Sequence, residues 1–597
     1  MCGIFGIIAA PGHLSDTHTL QKGTRLLSHR GPDGEGFFQD GQVALGHRRL
    51  AIIDLSEKGR QPMQAFGRTI TYNGELYNYR EIRASLEAAG QSFHSQSDTE
   101  VILGAYAQWG AACLDRFRGM WAFAIYEPER RQLFCARDPF GIKPFYYTIV
   151  EDHFYFASEI KAFRAIPAWE AKVNFHVAVD FLNSATQHHR AESLYKGVWQ
   201  LMPGQWLCYD LEKGTFNCSN YLQLRTNQTL NIPSFEQAAK GLEAALRQSV
   251  RLHLRSDVSI GTSLSGGLDS SAIMALAQQE QDGTFSPEAF SYCPGIEGYD
   301  ESTYIDLLIE RYQLHSHKIR TGLTELDRWH DRLIQVQDGP LAAANCIANY
   351  MIYQEAKRKN LKVMLCGQGA DELLGGYGTF YMPFLKELAK RNPLAAAKES
   401  LYLMYRYPKG ISGLAQRLLP KTNYHQFFKY KEILPKQVTQ DTTEAAPFKQ
   451  HSLHNLQHRP LPALLHYEDR NSMAHGIEAR IPFLDPELVQ FCLGLPATYK
   501  IRKGVRKAIL RKALAHQLPQ PILQRYDKMG FVTPQDLWIE QSPEVVLQRI
   551  TVCIDRNPEW LEPTLVKWVR HVLQKKQRQH YPFLWRLMSF GRWVRTL

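Results

Sequence analysis

A cysteine stands directly behind the initiator methionine, in Met1-Cys2-Gly3-Ile4-Phe5-Gly6, and no other residue constrains this chain as much. Once Met1 is removed, Cys2 carries a thiol and a free α-amine on one residue. Such an amine has a pKa near ~8, so it can take the thiol proton and return it to a leaving amine. Nucleophile and base then need no partner placed by the fold. The alternative is a small residue that opens a buried strand, and the neighbouring sequence decides between the two.

The first hundred residues supply what such a nucleophile lacks. Arg49 closes Gly46-His47-Arg48-Arg49 before an apolar run, Asn73-Gly74-Glu75 follows the strand-like Thr69–Tyr72, and Ser97-Asp98-Thr99-Glu100 precedes a helix-like stretch. Acyl transfer needs donors aimed at a developing oxyanion, and an Asn amide with a Gly N–H makes a suitable pair. A free amino acid needs a cation for its carboxylate and an anion for its ammonium, which Arg49 and Asp98 offer. Taken alone, Asn-Gly reads as a hairpin turn and Arg49 as a surface charge.

These motifs, with HRGPDGEG, HRRLAIID, RDPFGIKPFYY and SEIKAF, resemble the class II glutamine amidotransferase domain over about the first 210 residues. The resemblance implies an N-terminal-nucleophile hydrolase: an αββα sandwich that hydrolyses glutamine to glutamate and ammonia. It makes Cys2 the nucleophile and Asn73 and Gly74 the oxyanion hole. Arg49, Leu50, Ile52, Glu75 and Asp98 join Asn73 and Gly74 as glutamine binders.

A second motif concerns the fate of the ammonia. Val258–Leu264 reads as a buried strand, followed by Ser265-Gly266-Gly267-Leu268-Asp269-Ser270-Ser271 and a helical run over 272–279. Glycines allow close backbone approach, and a helix N-terminus with hydroxyls cradles phosphate. No Gly-Lys-Ser/Thr follows, so this is not a Walker loop. The motif resembles the pyrophosphate loop of the ATP-pyrophosphatase family, with Ser263 at the strand end and Asp269 as a Mg²⁺ ligand. Lys362–Leu365 forms another strand and leads into Cys366-Gly367-Gln368-Gly369-Ala370-Asp371-Glu372. Acidic residues after strand ends are where open α/β sheets bind ligands, and Asp371 is the natural second Mg²⁺ ligand. With His475–Asp485, Lys507–Arg511 and Arg525–Phe531, the resemblance extends to the synthetase half of asparagine synthetases, a parallel-sheet domain with a helical extension. It brings Cys366, Gly367, Lys507 and Lys528 to ATP and pyrophosphate, and Glu372 and Arg480 to the acceptor.

The chemistry so implied is physically consistent. A carboxylate does not react with ammonia at neutral pH because its leaving group is oxide, whereas an acyl-adenylate carries a good one. An internal passage keeps ammonia from becoming ammonium and keeps water off the adenylate. The products are a carboxamide, AMP and pyrophosphate.

With 597 residues, 44% hydrophobic and 22% charged, the chain is expected to be globular with at least two domains. The expected division is a glutaminase domain over 1–210, a linker over 211–235 and a synthetase domain over 236–597. Ten cysteines without a C-x-x-C pair argue against a zinc site. No apolar run approaches ~18 residues and no signal peptide opens the chain, so a cytoplasmic enzyme is expected. Within the net charge of +11, basic residues cluster with aromatics in 383–431 and 563–597. Solvated helix faces around an aromatic core are favoured there over a docking surface for an anionic partner. The expected partners are glutamine and a carboxylate acceptor, aspartate or a larger acid. No nucleic acid is obligate, and a homodimer stays open.

Two departures from asparagine synthetases bear on the acceptor. Gln368 stands where many members carry a glutamate linked to adenylate formation and to handling ammonia's proton. An amide cannot ionise, so proton acceptance falls to another group, with a phosphate oxygen among the candidates. The stretch Gly339–Cys346 is small and uncharged where some relatives carry Thr and Arg for a free amino acid's carboxylate. Aspartate still leads, with Arg480 as the substitute cation. A sugar uronic acid, peptide or secondary-metabolite carboxylate is the runner-up. Ring-closing relatives have lost the glutaminase, whereas Cys2, Arg49, Asn73 and Asp98 are all present here.

Overall fold

The computed structural model describes residues 2–222, 224, 230, 232, 234–280, 285–320, 322–406, 424–429, 446–526 and 533–597. Lys528, part of the expected linker over 211–235 and much of the basic segment 383–431 lie outside the described residues.

The amino-terminal half is two antiparallel six-stranded sheets packed face to face. The first runs β10 (Val198–Gln200), β8 (Tyr146–Val150), β9 (His153–Ala157), β1 (Gly3–Ile8), β3 (Val43–Arg49), β2 (Gly34–Asp40). The second runs β12 (Thr215–Asn220), β11 (Gln205–Asp210), β7 (Gln132–Arg137), β6 (Gly119–Glu127), β5 (Arg68–Leu76), β4 (Met63–Ala65). Successive side chains of a strand point to opposite faces, and β1 shows why it reads as an unbroken apolar run. Ile4 and Ile8 enter the layer between the sheets with Val43, Leu45, Ala124, Leu133 and Leu207. Phe5 and Ile7 face outward onto Leu20 and Leu27, in and just beyond helix α1 (Thr17–Arg25). Each such side chain is fully buried and contributes about 1.5–3 kcal/mol.

Strand β5 breaks this pattern at one end. Its outward residues Ile70, Tyr72 and Leu76 pack on helices α2 (Tyr79–Ala88) and α3 (Asp98–Trp109). Its inward residues Thr71, Asn73 and Glu75 are polar yet buried. Placing three polar groups in succession inside a core is unfavourable unless they are bonded or used. Asn73-Gly74 lies within this strand, paired opposite Ala122-Trp121, and is no hairpin turn. Strand β12 lies inside the stretch read as linker and pairs along β11, so the sheet runs past residue 210 to Asn220.

The carboxyl-terminal half carries a five-stranded, all-parallel sheet. Its order is β15 (His315–Ile319), β14 (Phe285–Tyr292), β13 (Ile260–Ser263), β16 (Val363–Leu365), β17 (Glu478–Arg480). The chain winds one way from β13 to β15 and then returns to the other side of β13. The topological switch point therefore lies between β13 and β16, where open α/β sheets bind their ligands. Helix α6 (Leu268–Gln279) follows β13 and starts four residues before the expected run, with Gly267 at its N-cap.

The halves meet through buried charges. Arg30 is fully enclosed, and its Nη1 donates to Glu159 at 2.7 Å and to Asp469 at 2.9 Å. Burying such a charge costs several kcal/mol, which these two carboxylates offset. In the basic carboxyl-terminal segment, Trp585 and Trp593 are buried while Arg592 pairs with Asp331 at 3.0 Å and Arg578 with Glu540 at 2.6 Å. Among the described residues no helix is long and apolar enough to cross a membrane.

Candidate active sites

The first site forms where β1 of one sheet meets β5 of the other. Cys2 is buried at the head of β1, and its backbone N–H donates to Asn73 Oδ1 at 3.0 Å. That bond orients the amide, and the buried Asn73 Nδ2 has no hydrogen-bond partner among the described residues. On the same strand, the Tyr72 N–H donates to Gln61 Oε1 and the Leu76 N–H to Asp98 Oδ2. N–H groups alternate between the two edges of a strand, so the Gly74 N–H lies on that edge too, beyond the last β4 pairing. An amide donor and a backbone donor thus stand beside the Cys2 backbone.

The other residues expected at this site surround it. Asp98, in the first turn of α3, accepts from Tyr72 Oη at 3.0 Å and from the Leu76 N–H at 2.9 Å. Burial pushes its carboxyl up to about 6 against those two bonds. Arg49 ends β3, beside β1, with Nη1 donating to the Ser56 carbonyl at 2.8 Å and Nη2 to that of Asp54. Leu50 and Ile52 are buried just beyond it. The Glu75 carboxylate points across the interface, 3.9 Å from Arg480 Nη2. Burial, then the nearby Glu478 charge, holds Glu75 well above the usual carboxylate range.

The second site lies at the carboxyl ends of β13 and β16. Gly266 turns the loop at a φ of 66°, and Ser265 Oγ and Ser270 Oγ meet at 3.1 Å. Ser271 Oγ donates to the Gly267 carbonyl at 2.6 Å, which fixes the first turn of α6. Ser263 is buried at the end of β13. A Cβ on Gly367 would stand 2.9 Å from Ser270 N, so the two strand-end loops touch only because that residue is glycine. Lys507 Nζ lies 2.6 Å from Asp269 and 2.7 Å from Asp371. Burial alone would lower the Lys507 pKa, but the two carboxylates raise it above its ordinary value. Two carboxylates converging on one cation, beside a phosphate cradle, are a donor set that fits Mg²⁺, which takes a few carboxylates plus phosphate oxygens and water.

The acceptor expectations fare differently. Arg480 is wholly enclosed, with Nε donating to Glu478 at 2.5 Å and Nη1 to the carbonyls of His253 and Arg255 at 2.6 and 2.7 Å. Those carbonyls cap helix α5 (Phe235–His253), so Arg480 locks α5, β17 and β5 together. The remaining nitrogen, Nη2, stands 3.9 Å from Glu75. Glu372 is buried, and its Oε1 accepts from Tyr377 Oη at 2.6 Å. Beyond Tyr377 opens a cavity of about 670 Å³ lined by Ala342, Ala343, Tyr377, His454, Arg459 and Tyr467. The small stretch singled out in the sequence therefore forms part of a cavity wall.

Gln368 Nε2 donates to Glu468 Oε2 at 3.2 Å. Glu468, and the Arg30 that donates through Nε to the Cys2 carbonyl at 3.0 Å, had no assigned role in the sequence. A signal for Glu468 existed: Glu468-Asp469-Arg470-Asn471 is a polar run within the helix Leu461–Met473, and all four are buried. Four consecutive residues span every face of a helix, so buried charge all round marks an interior shared by several partners.

A thiol-bearing strand beside an oxyanion-type donor pair, joined to a parallel sheet with a phosphate cradle at its switch point, defines a glutamine amidotransferase fused to a nucleotide-using domain. Residues 1–222 match a family described as glutamine amidotransferase domain, and residues 241–595 match one described as asparagine synthase. The chain belongs to the asparagine synthetase family and is a glutamine-hydrolysing ligase of that family, with an ATP-dependent synthetase half. It is 30% identical to asparagine synthetase (glutamine-hydrolyzing) 1 of Bacillus subtilis, over 97% of this chain and 91% of that protein. Identity to asparagine synthetase (glutamine-hydrolyzing) 3 of the same organism is 31%, over 88% of this chain and 86% of that one. Amidase chry2 of Gibberella zeae is 26% identical over 90% of both chains.

Proposed function

We propose that the protein hydrolyses glutamine at Cys2 and delivers the ammonia to an acyl-adenylate made at the β13–β16 switch point, forming a carboxamide with AMP and pyrophosphate. The single observation that supports this reading is that Arg30 joins the two halves, donating to the Cys2 carbonyl on one side and to Asp469 on the other. Cys2, freed of Met1, attacks the glutamine amide, and its own α-amine carries the proton. Asn73 Nδ2 and the Gly74 N–H receive the oxyanion, Arg49 the carboxylate and Asp98 the ammonium. The Ser265–Ser271 loop and Lys507 take the phosphates. Asp269 and Asp371 would hold Mg²⁺, which when bound neutralises pyrophosphate charge. L-Aspartate is the first acceptor to test, by family membership.

A second reading, a carboxylate on a larger body, is supported by the 670 Å³ cavity, which exceeds what free aspartate fills. Pyrophosphate release with ammonium across a panel of carboxylates separates them. A sub-millimolar KM and ordinary turnover with aspartate would remove the larger acceptor. Glutamine binding carries its own pH signature. Asp98 loses its charge as pH falls through about 6, so the ammonium of glutamine loses its counter-charge. The glutamine KM should therefore rise between about pH 7 and 5, by roughly tenfold at the lower end. Initial rates of glutamate release across that range check it, and a flat KM would remove Asp98 from the ammonium site.

A further inference from the structure

An amide made from ammonia needs a base as well as an electrophile. The nitrogen lone pair attacks the acyl carbon, a C–N bond forms, and the C–O bond to AMP breaks with its electron pair leaving on AMP. One N–H proton must then go elsewhere. This inference rests on the reading above and asks which group of this chain receives it.

The carboxylates near the strand ends are mostly engaged. Asp269 and Asp371 share the Lys507 ammonium, Glu478 holds Arg480, and Glu372 accepts from Tyr377. Glu468 is different. It is 4% exposed, and no Lys, Arg or His among the described residues comes within ion-pair distance of it. Its partners are all neutral donors: Gln368 Nε2 at 3.2 Å on Oε2, then Asn349 Nδ2 at 3.1 Å, Cys366 Sγ at 3.5 Å and the Tyr353 hydroxyl on Oε1. Burial holds the Tyr353 hydroxyl and the Cys366 thiol well above their ordinary values, so both stay protonated. A buried carboxylate without a cation is costly, and such groups gather where chemistry uses them.

Its position suits the task. Cys366 and Gln368 flank Gly367, which abuts Ser270 of the phosphate loop. On the other side, Asp469 binds Arg30, whose Nε reaches the Cys2 carbonyl. The same helix turn therefore faces both the source of ammonia and the site that consumes it.

We propose that Glu468 is the proton acceptor of the amide-forming step, standing in for the charge that Gln368 lacks. The test compares wild type with Glu468→Gln, Glu468→Asp and the exchange Gln368→Glu/Glu468→Gln. L-Aspartate and UDP-glucuronate serve as acceptors, with ammonium chloride as nitrogen source. Acceptor-dependent ATP–pyrophosphate exchange reads adenylation alone, amide product reads the second step, and glutamate release from glutamine checks the fold. Glu468→Gln should lower amide formation about 10²-fold or more while adenylation and glutamate release persist. Glu468→Asp should fall between it and wild type, and the exchange should recover at least about tenfold of the loss. Amide formation by Glu468→Gln at the wild-type rate overturns the proposal, as does joint loss of adenylation and amide formation or an exchange variant no better than Glu468→Gln. If Glu468→Gln does not fold, a Glu468→Asp protein that retains glutamate release but loses adenylation overturns it equally. If wild type amidates neither acid, the comparison is made on the first carboxylate of the panel that it amidates; a wild type that amidates none of them removes the underlying reading, and that failure is seen before any variant is made.

Discussion

Cys2→Ala should abolish glutamine-dependent amidation, by about three orders of magnitude or more, while synthesis from added ammonium stays within about twofold of wild type. The split is expected because Cys2 lies at the head of β1, whereas the phosphate loop lies at the carboxyl end of β13 in the other half. Losing one sulfur atom from a buried site adjusts the packing little, so the ammonium-dependent route also reports an intact fold. Retention of Met1 should have the same effect, because the amine that carries the proton would then be an amide. Glutamate and carboxamide formation, measured with each nitrogen source, decide the matter. A Cys2→Ala protein that used glutamine at the normal rate would show that the nucleophile lies elsewhere.

Asp269→Asn or Asp371→Asn should stop synthesis with either nitrogen source, by about 10²–10³-fold, while glutamate release survives. Both carboxylates converge on Lys507 Nζ, so each substitution removes one anionic ligand from the point where pyrophosphate charge would be balanced. The remaining carboxylate still pairs with Lys507, which keeps the buried ammonium satisfied and the fold standing. Glutaminase without synthesis would then be uncoupled, and the ratio of glutamate to carboxamide should rise steeply. Product analysis gives a second check: wild type should yield AMP and pyrophosphate. ADP with phosphate would refute the reading of the Ser265–Ser271 loop.

Much of both sites was legible in the sequence because their groups are contiguous. Asn73, Gly74 and Glu75 sit on one strand, and Ser265 to Ser271 form one strand-to-helix turn, so local geometry alone brings them together. Less legible were the surroundings of single residues whose partners lie far along the chain. Arg480 looks like an available cation, and its burial depends on carbonyls more than 220 residues away. The polar run 468–471 marks Glu468 as unusual, but its partner Gln368 lies a hundred residues earlier and only the fold places the two together.

From the sequence alone came the family and the candidate groups of each half, because the proposed nucleophile, oxyanion donors and phosphate cradle are each encoded by short runs whose backbone needs are local. The tertiary structure decided how the halves share an interior. It placed Arg30 between Cys2 and Asp469, turned Arg480 into a lock between α5, β17 and β5, and set Glu468 beside Gln368. These outcomes rest on burial and on pairings across long sequence separations. A charged residue in the sequence carries no record of whether water or a distant carboxylate will surround it.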